Sequence, residues 1–401
     1  MPRKKPNLKP PFLRRGARAP KQPSRMGQFE NWLRRYPALR IACAEAHRRF
    51  NDTDGVCGFG VGRKFCESTG QYGAASESTG GLCIKIFVQR KKKKVAGKDR
   101  IPAWINVSTK GTGRKTRVLL DVVSIGGKGR KLPVGILQQD RGWPEAGRIT
   151  PGRLFAFGTK PVAEMNGRPF KDDEVKVGTT GAVIRFEDDS HFGISAGHVF
   201  TDVDSVNASR PDGVRALGVK GQDWEEVEGS KFYPPTIKTV EWIRDLMLFP
   251  VPDSFRPAPS EVTWPDGFLK ELATQADIDR AVLAETATGF IWVDRKGPRP
   301  EAIPVDLEAG SPRLSLPVGC SGTTKWLTYV MAWPLRFLPG ALSTIDGDSG
   351  SPVFLWTEDN SKCRLLGMHV LKVNGRAYAM DARAFFSEVL RAMPNQKVWF
   401  V

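Results

Sequence analysis

A chain of 401 residues with 40% apolar content and 11 tryptophans has the means to bury real cores, so it reads as globular, in two domains or one large two-lobed unit with an appendage. Its formal charge of +18 is unevenly spread: residues 1–40 hold twelve Lys/Arg against the single acid Glu30, which leaves +7 for everything after them. No apolar run has the length of a membrane span and no apolar leader follows the charged start, so no membrane association is expected. Six cysteines without a C-x-x-C pair, beside only four histidines, speak against a zinc site, and no metal or cofactor is called for. Free thiols in a reducing cytoplasm are the simplest expectation, with a disulfide left open.

Residues 1–30 are rich in Pro, Lys and Arg and too poor in apolar side chains to offset the entropy of ordering, so a disordered basic tail is expected there. It reads equally as an arm for an anionic partner, whether nucleic acid, an acidic protein or a membrane surface, and as a solvated tail. From Asn31 to Phe50 the apolar spacing predicts a helix broken or shifted at Pro37. Gly55 to Gly62 alternates glycine with larger residues, as a strand closely approached by other backbone would. Without a following helix or a Lys-Ser/Thr ending, a phosphate loop is the weaker reading. Leu82–Gln89 and Arg117–Val123 are strands, Ile101–Ile105 a short apolar anchor, and Arg90 to Lys94 five consecutive cations read as a solvated turn. Residues 31–125 thus form an expected small α+β domain, followed by a Gly/Lys/Pro-rich linker over 126–150.

Beyond residue 150, short apolar segments alternate with Gly, Pro, Asp and Asn turns, the texture of an all-β barrel or sandwich region. A hairpin is expected about Glu187–His191, and a strand over Ile243–Phe249. A proline-rich connection with helical potential at Phe268–Ala284 follows, spanning 253–315. Strands come next at Thr324–Met331 and Leu365–Val373, and a closing helix at Ala382–Met393.

Within this region Gly347-Asp-Ser-Gly-Ser-Pro-Val353 flanks Ser349 with glycines, which lets the backbone turn tightly and set its N–H groups beside a hydroxyl. A serine hydroxyl needs a base, and the base needs an orienting acid. Of the four histidines, His47 falls in the first helix and His191 in a turn. His198 follows Ser195-Ala-Gly197 at the end of an apolar strand. Asp245 stands immediately before Leu-Met-Leu-Phe249, where burial would demand a partner such as an imidazole N–H. Each has an ordinary structural alternative taken singly; the three contexts in the order His198, Asp245, Ser349 are harder to dismiss.

Gly347-Asp-Ser-Gly-Ser-Pro352 resembles the nucleophile motif of the trypsin/chymotrypsin-like serine peptidases, Ser195-Ala-Gly-His198 their histidine motif and Asp245-Leu-Met-Leu248 their aspartate motif. The likeness covers about residues 151–401, and Val56–Lys64, Ile84–Arg90, Asp99–Ile105 and Arg117–Val123 look like the extra N-terminal α+β region of intracellular bacterial-type members. The resemblance implies a mainly β fold of two six-stranded barrels with a His198–Asp245–Ser349 triad and an oxyanion hole made by the N–H groups of Gly347 and Ser349. It also implies a protein or peptide substrate cut through an acyl-enzyme. Ser343, six before the nucleophile, argues against Arg/Lys specificity, while Thr344 and His369 resemble the P1 pocket of glutamyl endopeptidases and viral glutamine-cutting relatives. His369 packing in a strand is the equal alternative. No Ile-Val-Gly-Gly-type sequence precedes the region, so Asp348 is left without an assigned partner. A peptidase-fold scaffold whose basic tail engages nucleic acid or acidic protein is the rival class, an esterase the third; a homo-oligomer stays open.

Overall fold

The structure, a computed structural model, describes residues 32–66, 69, 71–73, 77–91, 100–109, 115–125, 135–136, 147–158, 175–200, 216–218, 225–226, 242–243, 245–258, 260–284, 287–294, 300–320, 323–345, 347–392 and 397–401. The basic tail, most of the 126–150 linker and Lys92–Lys94 of the cationic run lie outside these residues. Two compact units result. One takes Met1–Lys131 with Val282–Glu285 and Glu308–Pro334; the other takes Leu132–Ala281, Thr286–Leu307 and Leu335–Val401.

In the first unit helix α1, Pro37–Phe50, begins with its proline in the first turn, where the missing N–H costs nothing, after Tyr36, with non-helical φ and ψ of −121° and 88°, ends the short helical turn before it. Ala38, Leu39, Ala42, Ala46 and Phe50 form its buried face. Strands β1 (Val56–Arg63), β2 (Leu82–Val88), β3 (Trp104–Ser108) and β4 (Lys115–Ser124) pair in the order β1-β2-β4-β3, with β2 and β4 parallel. The strand Ala309–Cys320 joins the other edge of β1. β3 was expected only as an apolar anchor. Its residues alternate exposed and buried against β4, and the exposed Trp104 carries the Arg117 guanidinium 5.2 Å from its ring centroid.

β2 is buried along its whole length, Lys85 included. Lys85 Nζ donates to Asp121 Oδ2 at 3.0 Å and to Glu308 Oε1 at 3.1 Å. Burial alone would lower the lysine pKa, but Glu308 and then Asp121 outweigh it and hold the ammonium above its ordinary range.

In the second unit β5 (Leu154–Gly158) pairs with β6 (Val175–Thr179) in one sheet. In another, β7 (Ala182–Phe186), β8 (His191–Ser195), β9 (Met247–Pro250) and the C-terminal strand Val398–Phe400 follow the order β9-β8-β7-C-terminal. Among the described residues these pairings do not close into a ring. The expected hairpin is present as β7–β8, with Arg185 opposite His191.

The remaining strands do close. β10 (Gly289–Val293) pairs with β11 (Glu301–Leu307), and β11 with the Leu335–Phe337 end of β12 (Thr323–Phe337). β12 pairs with β15 (Arg376–Asp381), β15 with β14 (Cys363–Val373), β14 with β13 (Pro352–Trp356), and β13 returns to β10. The chain is mainly β and contains one closed six-stranded barrel. A barrel hides its edge N–H and C=O groups by closure. Phe290, Phe354 and Phe268 fill its neighbourhood in contact with one another or with Trp264, at centroid separations of 4.5–5.3 Å.

Two expectations need correction here. The proline-rich connector expected over 253–315 contains β10, β11 and the first part of the strand Ala309–Cys320, and Pro304 and Pro312 are both accommodated in these strands. The helix expected over Phe268–Ala284 is a strand, Phe268–Leu272, laid parallel to β14, and then a shorter helix α3, Gln275–Leu283. Thr274 sets the start of α3. Its N–H and hydroxyl donate to Asp277 Oδ2 at 2.8 and 2.6 Å, and Asp277 N–H donates back to Thr274 Oγ1 at 3.2 Å, a reciprocal cap. The closing helix α4 runs Ala382–Ala392, and no helix among the described residues is long and apolar enough to cross a membrane. Cys43, Cys57, Cys66, Cys83 and Cys363 are free thiols.

Candidate active site

His198, Asp245 and Ser349 all belong to the second unit. His198 was expected at a strand end; it stands one step further, in the single helical turn α2, Gly197–Phe200, that follows β8. Asp245 immediately precedes Leu246 and β9, and the register of β8 with β9 brings Ser195 opposite Met247, so histidine and aspartate emerge side by side. Gly197 N–H donates to the Asp245 carbonyl at 3.1 Å, which ties the two segments together. The carboxylate grips the histidine twice: His198 N–H donates to Oδ1 at 2.7 Å, and Nδ1 lies 2.6 Å from Oδ2. An ionised carboxylate only accepts, so Nδ1 carries the proton and, in the neutral ring, Nε2 presents its lone pair. Nε2 is buried and, among the described residues, has no hydrogen-bond partner.

Ser349 lies in the turn before β13, and it is as buried as its two candidate partners: His198, Asp245 and Ser349 are 0%, 1% and 1% exposed. Gly347 and Gly350 hold φ of +91° and +97°, backbone values that side-chain-bearing residues rarely adopt. At Gly350 the requirement is double, because a Cβ would run into the Thr179 carbonyl and the Ser195 hydroxyl. Thr179 pins the turn from across: its N–H donates to the Ser349 carbonyl at 2.9 Å and its hydroxyl to the Gly347 carbonyl at 2.8 Å. Ser195 Oγ in turn donates to the Thr179 carbonyl at 2.7 Å. The Ser349 hydroxyl donates to the Val370 carbonyl at 3.2 Å, so the hydroxyl is directed at the backbone of β14 rather than at the open Nε2.

Asp348, whose partner was left open, is fully buried and accepts the Ile345 N–H on Oδ2 at 2.7 Å, while its own N–H donates to the Ile345 carbonyl at 3.2 Å. Its carboxylate therefore caps the segment that leads into the nucleophile turn. On β14, His369 is held by its backbone to both sides of that turn: its carbonyl accepts from Gly350 N–H at 2.7 Å and its N–H donates to the Ser351 carbonyl at 2.8 Å. Burial pushes the His369 imidazole down to about 4, against the opposing pull of Asp348 and a hydrogen bond to the Tyr378 backbone. So low a value keeps the ring neutral at physiological pH; among the described residues its Nδ1 is buried without a partner, as is Thr344 Oγ1.

One residue escaped the sequence reading. Lys372, three residues beyond His369 on β14, donates from Nζ to Ser343 Oγ at 3.1 Å and to the Thr344 carbonyl at 2.5 Å. Nothing in the linear pattern distinguishes it from other cations of the chain; only the pairing of β14 with its neighbours brings it to the 343–344 segment. His47, set aside at the start, packs its ring tilted against Phe59 with centroids 4.1 Å apart in the first unit, and His191 Nδ1 meets the Asp189 carbonyl at 2.9 Å in the β7–β8 turn.

No protein-family model matches the chain, and no curated protein is similar to it in sequence. Among solved structures, a Nocardiopsis protease aligns at 8% identity and a TM-score of 0.32, covering 63% of this chain and 98% of that one. Two inactive forms of the murine norovirus NS6 protease align at 12% and 13% identity, each with a TM-score of 0.23 over 47% of this chain and 82% of theirs. These are loose likenesses. The chemistry at Ser349 has to stand on its own geometry.

Proposed function

We propose that the chain is a serine endopeptidase of chymotrypsin-like architecture, with His198 as general base, Asp245 as its orienting acid and Ser349 as nucleophile. The observation that carries this reading is the doubly bonded, buried His198–Asp245 pair, its Nε2 without a partner among the described residues, in the same unit as a left-handed glycine turn bearing Ser349. A buried imidazole nitrogen without a partner costs free energy, and taking a proton from an incoming hydroxyl is a use for which such a cost is tolerated. In this proposal the sheets of β5–β6 and β7–β9 belong to a second barrel.

Catalysis begins when Ser349 Oγ leaves the Val370 carbonyl and turns to His198 Nε2. As Oγ attacks the scissile carbonyl carbon, its proton passes to Nε2 and the carbonyl electron pair moves to oxygen. Asp245 stabilises the imidazolium through the Nδ1 proton. The N–H groups of Gly347 and Ser349 receive the oxyanion, a contribution of about 2.7–4 kcal/mol per donor in such sites. Collapse of the tetrahedral species expels the amine, which takes the proton from Nε2. Water then repeats the sequence on the acyl-enzyme and releases the acid. Thr344 and His369 form the base of a P1 pocket for a glutamate or glutamine side chain.

A fluorophosphonate probe on the intact protein tests the assignment: one label per chain is expected, on the peptide containing Ser349, and none in Ser349→Ala. A wild-type protein that never labels sinks the catalytic claim.

A further inference from the structure

The hydroxyl of Thr344 and the neutral imidazole of His369 can each either donate or accept, so neither tells a carboxylate from an amide of the same shape. Lys372 can. An ammonium donates only and carries a full charge, and this one is fixed on the 343–344 segment by its bonds to Ser343 Oγ and the Thr344 carbonyl. The ammonium opposes protonation of the His369 ring, whereas the Asp348 carboxylate favours it. Asp348 matters to the balance. It is fully buried, so a carboxylate entering beside His369 meets a like charge unless a cation offsets it.

We infer that Lys372 is a specificity-determining residue, whose fixed ammonium makes the pocket of Ser343, Thr344 and His369 select an acidic P1 side chain, glutamate, over the isosteric amide of glutamine. The inference rests on the serine-peptidase reading and goes beyond it, because that reading leaves acid and amide open. Removing the ammonium leaves the Asp348 carboxylate acting on the His369 site without that offset, so the loss falls on the anionic substrate far more than on the neutral one.

The test uses the full chain and peptides that differ only in P1, Glu against Gln. Wild type is expected to favour Glu in kcat/KM by about tenfold or more, the scale of one well-placed polar contact. Lys372→Met is expected to lower that ratio at least about tenfold, and Lys372→Arg, which keeps the charge, to restore most of it. A second arm avoids turnover: calorimetric binding of product peptides ending in Glu or Gln to the Ser349→Ala protein, with and without Lys372→Met. Lys372-dependent preference for the Glu-ending peptide supports the pocket even if the wild type never reacts with a fluorophosphonate, in which case the peptidase reading falls alone. A labelling-competent enzyme whose Glu/Gln ratio is unchanged by Lys372→Met overturns the inference and leaves the peptidase reading intact. A wild type that prefers Gln overturns it whatever the variants do.

Discussion

Asp245→Asn is the substitution that most directly probes the proposed chemistry, because it changes one atom type and little volume. In the native pair Oδ1 accepts the His198 backbone N–H at 2.7 Å and Oδ2 faces Nδ1 at 2.6 Å, both side chains about 1% exposed. The asparagine has one carbonyl oxygen. If that oxygen keeps the backbone bond, the amide NH2 faces Nδ1 and forces the ring to accept there, which moves its proton to Nε2. A protonated Nε2 cannot take the Ser349 proton. The charge that stabilises the imidazolium is lost as well, in a site too dry for water to replace it. Together these should slow fluorophosphonate labelling by about 10⁴-fold, ~5.5 kcal/mol of barrier, the scale seen when a triad aspartate is neutralised. The assay is the second-order labelling rate at pH 7.5, with urea unfolding of the same samples to show that the variant is folded. A folded Asp245→Asn protein that labels within tenfold of wild type refutes the assigned role.

The other expectations concern buried charge. His369 is held at about 4 against an ordinary value near 6.5, so between those pH values the unfolded chain takes up a proton that the folded one refuses. Stability is then complete above pH 6.5, falls as pH drops towards 4 and levels off below; the loss amounts to about 3 kcal/mol. Urea midpoints at pH 7 and pH 4.5 should show a shallower acid decline in His369→Gln than in wild type, and equal declines would remove His369 as the cause. In the first unit, Lys85→Met strands Asp121 and Glu308 without their shared cation and should cost about 3–5 kcal/mol, read as faster hydrogen exchange along β1, β2 and β4. A loss below about 1 kcal/mol would show that water reaches the two carboxylates.

Much of this protein was legible before folding. The Ser349 turn was visible because glycine on both sides of a serine has few structural uses, and the two glycines do take positive φ. Asp245 was visible because an acid attached to an apolar run must find a partner, and it finds His198. The helix shift at Pro37 followed from a missing N–H. What failed was local too: the proline-rich stretch over 253–315 read as a connector although pairing sustains strands within it, and a helical pattern at Phe268 yielded to the edge of β14.

Residue type and order alone determined which groups carry reactive chemistry, since a hydroxyl, an imidazole and a carboxylate keep their donors and acceptors in any fold. Only tertiary structure decided which of them are neutral, which are paired and which are left open. Burial lowers His369, Ile345 N–H caps Asp348, and strand pairing delivers Lys372 to Ser343 and Thr344. Those outcomes depend on desolvation and on contacts between residues distant in the chain, and neither is written in any local stretch of it.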